Sequence, residues 1–280
     1  MSTGDIAELL GISRSTVCRV LRNLKKSVAN EVPKSVVALM DASYWNDHFG
    51  VVVAKDNLTG RVLWHKFIYR KERVEDYIEG VRWLEEARHA EVLCVVSDGL
   101  RGLRDRLSPR LFQHCQFHQI LTVRERITSR PKLEAAKEFY DLVNFMPRTD
   151  RASFEGLLGE WEAKWKKVAC KRGFGADGKR HYVNKNLRSA WLGVKRNMPY
   201  LWTFEEHYGL GIPNTNNAIE ALFKDIKRKL GLHCGLSRER LEAMVSNFLI
   251  SHSPSRTRPE SQIRSPFDTT AENQPGQVSF

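Results

Sequence analysis

Residues 35–45 read SVVALMDASYW, a β-rich apolar run with one carboxylate, Asp41, set inside it. Left unpaired, a buried carboxylate costs on the order of several kcal/mol. Asp41 therefore needs a cationic partner, a raised pKa or a metal. Downstream, a turn at Asn46-Asp47 leads into HFGVVVAKD, and a second turn at DNLTG leads into RVLWHKFIY. Three β-rich runs with two short turns between them predict an antiparallel meander.

RVEDYIEGVRWLEEARHA follows, with Val74, Tyr77, Ile78, Val81 and Leu84 at helical spacing. EVLCVVSDG is continuously apolar, the pattern of a fully buried parallel strand. LRGLRDRL reads as a short helix, LFQHCQFHQ as a strand and ILTVRERITSR as a basic helix. Three strands, helix, strand, helix, strand, helix is the ribonuclease-H-like plan: an α/β chain with a mixed sheet and flanking helices, its first part at 34–130. From 131 to 208 the period is helical, giving a helical insertion. Phe154, Leu157, Leu158, Trp161, Trp165 and Val168 form a stripe, and Trp191, Tyr200, Trp202 and Phe204 add aromatic bulk. Such a stripe reads as packing rather than as a base-stacking platform. KWKKVACKRGFGADGKRHYVNKNLR reads as an exposed basic loop suited to phosphate. Residues 209–250 complete the core, and 251–280, rich in Ser and Pro without apolar periodicity, read as a disordered tail.

Ahead of the linker ANEVPKS, residues 1–27 resemble a helix-turn-helix. Ile6, Ala7 and Leu10 mark a short helix, GIS the turn, and Val17, Val20, Leu21 and Leu24 the buried face of a second helix from about Ser13. Arg14, Ser15, Thr16 and Arg19 fall on the DNA-facing side. Only four residues stand ahead of DIAELLG, where a complete unit carries a supporting helix, so an incomplete unit is expected.

Composition agrees with a polyanionic partner. The 280 residues include 45 Lys and Arg against 33 Asp and Glu, a formal charge of +12. The hydrophobic fraction, 41%, suits a globular core. No apolar run reaches the roughly 18 residues of a membrane span. The five scattered cysteines do not form a disulfide framework. The expected setting is cytoplasmic and nucleoid-associated.

Two further carboxylates join Asp41. Asp98 ends EVLCVVSDG, and Glu220 opens the helix in NTNNAIEALFKDIKRKLGLHCGLS, Asn214–Ser237. Ile219, Leu222, Phe223, Ile226 and Leu230 form that helix's apolar seam. With the two Asp strands adjacent, both aspartates emerge at one sheet edge, and the Glu220 helix can pack across it. Three carboxylates brought close do not all stay ionised without cations between them, and hard oxygen ligands suit Mg²⁺. Each acid also has a plain structural reading. Asp98 before Gly99 is a turn residue or a cap, Glu220 is favoured by the helix dipole, and Asp41 pairs with an arginine.

LMDASYW, VVSDGLRGL, CQFHQ and IPNTNNAIEALFKDIKRKLGLHCGLS together resemble the DDE transposases of the Mutator type, over about Lys34–Ile250. The resemblance implies that Asp41, Asp98 and Glu220 are catalytic metal ligands for Mg²⁺, with Mn²⁺ as a substitute. Two ions roughly 4 Å apart would serve in-line attack on a phosphodiester, cleaving transposon ends and transferring the 3′-hydroxyl into target DNA. Its implied partners are double-stranded DNA, in terminal inverted repeats and target, and a second copy of the chain, as a dimer or larger assembly on DNA. Lys224, Lys227 and Arg228, at i+4, i+7 and i+8 from Glu220, are expected to hold phosphates. Cys115 and His118 supply two zinc ligands where structural zinc takes four. His114 or the pair His233-Cys234 would have to complete a site without regular spacing. Cys115 and His118 are therefore expected to support the site by packing and by positioning DNA. The rival readings are a DNA-binding regulator or silent transposase, and another nuclease of the same fold, which would need four carboxylates or a different last helix.

Overall fold

The computed structural model describes residues 3–23, 31–46, 49–174, 176, 178–231 and 237–251. The three β-rich runs are strands β1 (Ser35–Asn46), β2 (Phe49–Asp56) and β3 (Val62–Ile68), paired antiparallel as the meander requires. The buried run becomes β4 (Glu91–Ser97), parallel to β1, and β5 (Leu111–His114) lies parallel to β4. The sheet order is β3-β2-β1-β4-β5, so the two Asp-bearing segments are neighbours at its centre.

Helices cover both faces. Even-numbered residues of β1 (Val36, Ala38, Met40) pack against Tyr77, Ile78 and Val81 of α3 (Val74–Arg82), which runs on into a π-helical turn at Trp83–Ala87. Odd-numbered Val37 and Leu39 meet Cys94, Val96 and Ile212 on the opposite face. Over Val51, Val53 and Val62 lie α10 (Asn217–Leu230) and α11 (Arg238–Ser251). Alternation in β1 thus decides which face each residue serves. The remaining chain is α4 (Leu103–Leu107), α5 (Gln116–Ile127), α6 (Glu134–Phe145), α7 (Arg151–Ala169), a hairpin of β6 (Arg172–Phe174) and β7 (Arg180–Tyr182), α8 (Lys185–Leu201) and α9 (Thr203–Glu206). Helices α5 to α8 share a core of their own around Phe139, Phe154, Trp161, Trp191 and Trp202. The indole N–H groups of Trp161 and Trp202 donate to Ala135 O (3.0 Å) and Thr149 O (3.2 Å), so the stripe is packed core.

Several expectations need correction. LFQHCQFHQ leaves the sheet at His114, and α5 begins at Gln116. The basic loop carries the β6–β7 hairpin, with Gly178 at a left-handed φ of 69° ahead of β7. Leu157, assigned to the aromatic stripe, is exposed. The unread α11 closes the sheet face beside α10, and Ser251, assigned to the tail, is its last residue. Asp47, Leu24, His233, Cys234 and the tail from 252 onward lie outside the described residues, as do the side chains of Asn46 and Leu21.

At the N-terminus, α1 (Thr3–Leu10) and α2 (Arg14–Asn23) flank a turn at Gly11, whose φ of 62° is left-handed. Ser13 Oγ accepts from Thr16 N (3.1 Å), capping α2. Val17 is buried, but Val20 is 52% exposed, against expectation. A single partner helix covers one stripe of α2, and Val20 lies off it. Arg14, Ser15 and Arg19 are exposed and Thr16 is half-buried, with Arg14 Nε bonded to Thr3 Oγ1 (3.1 Å).

One buried carboxylate anchors the start of α3. Burial works against the charge of Asp76. Even so, a two-pronged bond from Arg70 (2.7 and 2.9 Å), the Arg73 N–H (2.9 Å) and Lys66 hold it down at about 2. The folded pKa lies below the unfolded value of 3.8, so this contribution is present above pH 4 and lost as pH falls toward 2. Asp76→Asn should destabilise the protein at pH 7 by about 1–3 kcal/mol. In urea melts its deficit against the parent should shrink as pH drops from 4 to 2; a deficit constant over that range would count against the Arg70 and Lys66 pairing.

Candidate metal centre

The register Leu39↔Val96 between β1 and β4 places Asp41 and Asp98 each two residues further along parallel, adjacent segments. They therefore leave the sheet at the same level, on the α10 face. Asp41 is 9% exposed and accepts one bond, from the Ala42 N–H (2.8 Å). Among the described residues no Lys or Arg pairs with it, which removes the arginine reading. Burial pushes its carboxyl up to about 8. The Asp98 charge adds to the shift, the Ala42 N–H opposes it, and the charges of Glu72 and Glu220 raise it further. Asp41 is thus the meeting point of three other acids' fields.

Asp98 is half-buried. Its Oδ1 accepts from Leu100 N and Ser97 Oγ, both at 3.2 Å, so it does shape the turn, as its plain reading held. Gly99 is obligatory there. Its φ is 82°, and a Cβ would lie 2.2 Å from the ring of His114. His114, against Gly99, is pushed down to about 4 by burial, with the charges of His118, Arg104 and Arg196 adding, so the ring is neutral at pH 7.

Glu220 sits in the first turn of α10. The segment before that helix is stitched to the sheet. Asn216 Nδ2 donates to Met40 O (3.1 Å), Asn216 N to Cys115 Sγ (3.2 Å), Gln116 N to Asn214 O (3.0 Å), and Lys55 Nζ to Ala218 O (3.1 Å). Met40 is the residue before Asp41, so Asn216 ties the Glu220 helix to the Asp41 strand directly. The apolar seam of Ile219, Leu222, Phe223 and Ile226 is buried and Leu230 half-buried, leaving Lys224, Lys227 and Arg228 exposed, Arg228 paired with Asp225 (3.0 Å). His118 Nε2 stands 3.7 Å from Glu220 Oε1.

Sequence reasoning missed two groups. Glu72, just ahead of α3, is held by Tyr77, whose hydroxyl donates to Glu72 Oε2 (2.5 Å), and its own N–H donates to Tyr44 Oη (2.6 Å). Burial raises the Glu72 carboxyl, the Tyr77 bond opposes this, and the Asp98 charge adds. Tyr77 itself is raised well above 10.0, first by burial and then by Glu72, Asp98 and Asp41. Glu72 is therefore a fourth carboxylate whose charge is felt at Asp41. Nothing in the run RKERVEDYIE separates Glu72 from its acidic neighbours. Asn216 is the other: its side chain reaches β1.

Asp41 is a buried carboxylate in the fields of Asp98, Glu72 and Glu220, and hard carboxylate oxygens of this kind suit a divalent cation such as Mg²⁺, although among the described residues the ligand atoms that come within 4.8 Å of one another in a group of three are those of Cys115, His118 and Glu220. Such a cation would hold Asp41 ionised at neutral pH.

No helix among the described residues is long and apolar enough to cross a membrane. No curated protein matches the chain. Among solved structures, the large terminase nuclease from thermophilic phage G20c aligns at 12% identity, covering 60% of this chain and 86% of that one with a TM-score of 0.21. Residues 1–27 match the model for bacterial regulatory proteins of the crp family.

Proposed function

We propose that this chain is a DDE transposase of the Mutator type with a ribonuclease-H-like core, acting on double-stranded DNA. The observation that supports it most is Asp41: a buried strand carboxylate without a cationic partner, under the fields of Asp98 and Glu220. Asp41, Asp98 and Glu220 would hold Mg²⁺, or Mn²⁺ in its place. Bound there, such cations supply an activated water or 3′-hydroxyl and stabilise the leaving oxygen in an in-line displacement at phosphorus. Asn216 keeps Glu220 in register with Asp41, and Gly99 lets the Asp98 turn close against neutral His114. On α10, Lys224, Lys227 and Arg228 take phosphates of the bound strand, while α1 and α2 read the duplex through Arg14, Ser15, Thr16 and Arg19. The match of residues 1–27 to a family of DNA-binding regulators supports that division of labour. Two DNA ends in one assembly call for at least two copies of the chain.

The test is a labelled duplex carrying the inverted repeats that flank the coding region, incubated with the full-length protein and Mg²⁺. Nicking at the repeat ends and joining of the freed 3′-end to a target plasmid are expected. Sequence-specific binding without cleavage in Mg²⁺ or Mn²⁺ would favour the regulator instead. Glu72 supports a second reading, a nuclease of the same fold with four acids; nicking without any joined product would favour that one.

Lys227→Ala should weaken duplex binding and reduce the slope of log K against log salt by about 1. An unchanged slope would take Lys227 out of the phosphate contacts.

A further inference from the structure

Helices α5 and α10 start side by side, and three different metal-ligating groups converge between them. Cys115 Sγ, a ring nitrogen of His118 and a carboxylate oxygen of Glu220 all lie within 4.8 Å of one another. Cys115 immediately precedes α5, His118 sits in its first turn and Glu220 in the first turn of α10, so the third ligand comes from far along the chain. Glu220 thus adds a third ligand that the Cys-x-x-His spacing by itself does not announce.

Two of the groups carry unmet polar atoms. Glu220 Oε1 is buried without a hydrogen-bond partner, and so is His118 Nδ1, which is not the ring nitrogen that faces Glu220. A buried polar atom left unpaired is destabilising. The sulfur of Cys115 is fully buried; burial pushes its thiol up to about 11, and backbone N–H groups of His118, Asn216 and Phe117, which point at it, oppose that shift. N–H donors around a sulfur stabilise a thiolate, as the outer partners of metal-bound ligands do. Spacing is close. With bond lengths of roughly 2.0–2.3 Å, ligand atoms around a tetrahedral zinc stand about 3.3–3.8 Å apart. The 3.7 Å between His118 Nε2 and Glu220 Oε1 is a few tenths of an ångström above the roughly 3.3–3.5 Å of a nitrogen–oxygen pair.

We propose that Cys115, His118 and Glu220 bind one thiophilic divalent cation of the zinc class, with a fourth position open to water. Binding forms a metal–sulfur bond and releases the Cys115 thiol proton to solvent. Mg²⁺, which takes hard oxygen ligands, does not compete for the sulfur. Occupancy draws Glu220 away from Asp41 and Asp98, so a zinc-class cation opposes Mg²⁺-dependent cleavage. This last clause rests on the proposed function; the binding site does not.

The experiment titrates metal-free full-length protein with Co²⁺. One equivalent should give a thiolate-to-cobalt charge-transfer band with the intense visible bands of four-coordinate cobalt, and Zn²⁺ should displace it. Cys115→Ser should lose the charge-transfer band although Cys18, Cys94, Cys170 and Cys234 remain. His118→Gln, which keeps the thiol, should weaken cobalt binding at least tenfold and decides the matter should the serine variant not fold. No charge-transfer band in the parent, a band that survives Cys115→Ser, or undiminished affinity in His118→Gln overturns the site. Nicking in Mg²⁺ is then measured with and without equimolar Zn²⁺. Inhibition supports the shared Glu220, and undiminished nicking beside an intact cobalt band refutes the sharing. A parent that never nicks removes the proposed function and leaves the cobalt result to decide the site.

Discussion

Asp41→Asn should bind duplex DNA as the parent does and fail to nick it in Mg²⁺ or Mn²⁺. Equal nicking by the two proteins would remove Asp41 from the chemistry. The same substitution has a second expected signature, in stability. The folded protein holds the Asp41 proton up to about 8, whereas the unfolded chain releases it near 3.8. Between those values the folded state binds more protons than the unfolded one, so without a divalent cation the parent loses stability as pH rises from 4 toward 8. Asp41→Asn has no such proton to lose. Its melting temperature should exceed the parent's at pH 8 in chelator, and the gap should narrow toward pH 4. Adding Mg²⁺ should stabilise the parent more than the variant, because only the parent keeps the buried charge that the cation offsets. A variant that melts below the parent at pH 8 in chelator would contradict the assignment.

Gly99→Ala carries the other large effect. A methyl group there meets His114 at 2.2 Å on a backbone with φ of 82°. Left-handed strain costs roughly 1–2 kcal/mol, and overpacking adds roughly 1–3 kcal/mol. Together these predict a loss of about 2–5 kcal/mol, read in urea denaturation as a lower midpoint at unchanged slope. Gly178→Ala is the control. Its φ is 69° but nothing lies within 4 Å of the added carbon, so it should show the strain alone. Equal losses in the two variants would mean that His114 yields freely and does not fix the Asp98 turn.

Parts of this arrangement were legible in the sequence because they break a pattern. Asp41 interrupts an apolar strand, and a chain tolerates that only where something compensates. The face of α10 was readable from Ile219, Leu222, Phe223 and Ile226, whose spacing leaves one orientation for Glu220. The strand that became β5 was read too long because the run around Cys115 has no helix-start signal; Cys115 precedes α5 without a side-chain cap bond. Glu72 was hidden for the opposite reason. It is one acid among Glu72, Glu75, Asp76 and Glu79, set apart by the bond it accepts from Tyr77. In α11, just Val245 and Leu249 are buried, too sparse an apolar stripe to announce a covering helix. The stitching by Asn216 has no local signal, because its partners on β1 and at Cys115 are about 176 and 101 residues away.

Such separations also govern when the acid cluster comes into being. On the ribosome, β1 to β5 and the helical layer of α5 to α8 emerge well before α10 and α11, the helices that roof Val51, Val53 and Val62. Until then that sheet face is bare, a natural landing place for chaperones that hold unfinished chains. Asp41 and Asp98 wait beside it without Glu220. The Glu220 carboxylate therefore reaches the neighbourhood of Asp41 only once α10 has been made and tied to β1 through Asn216.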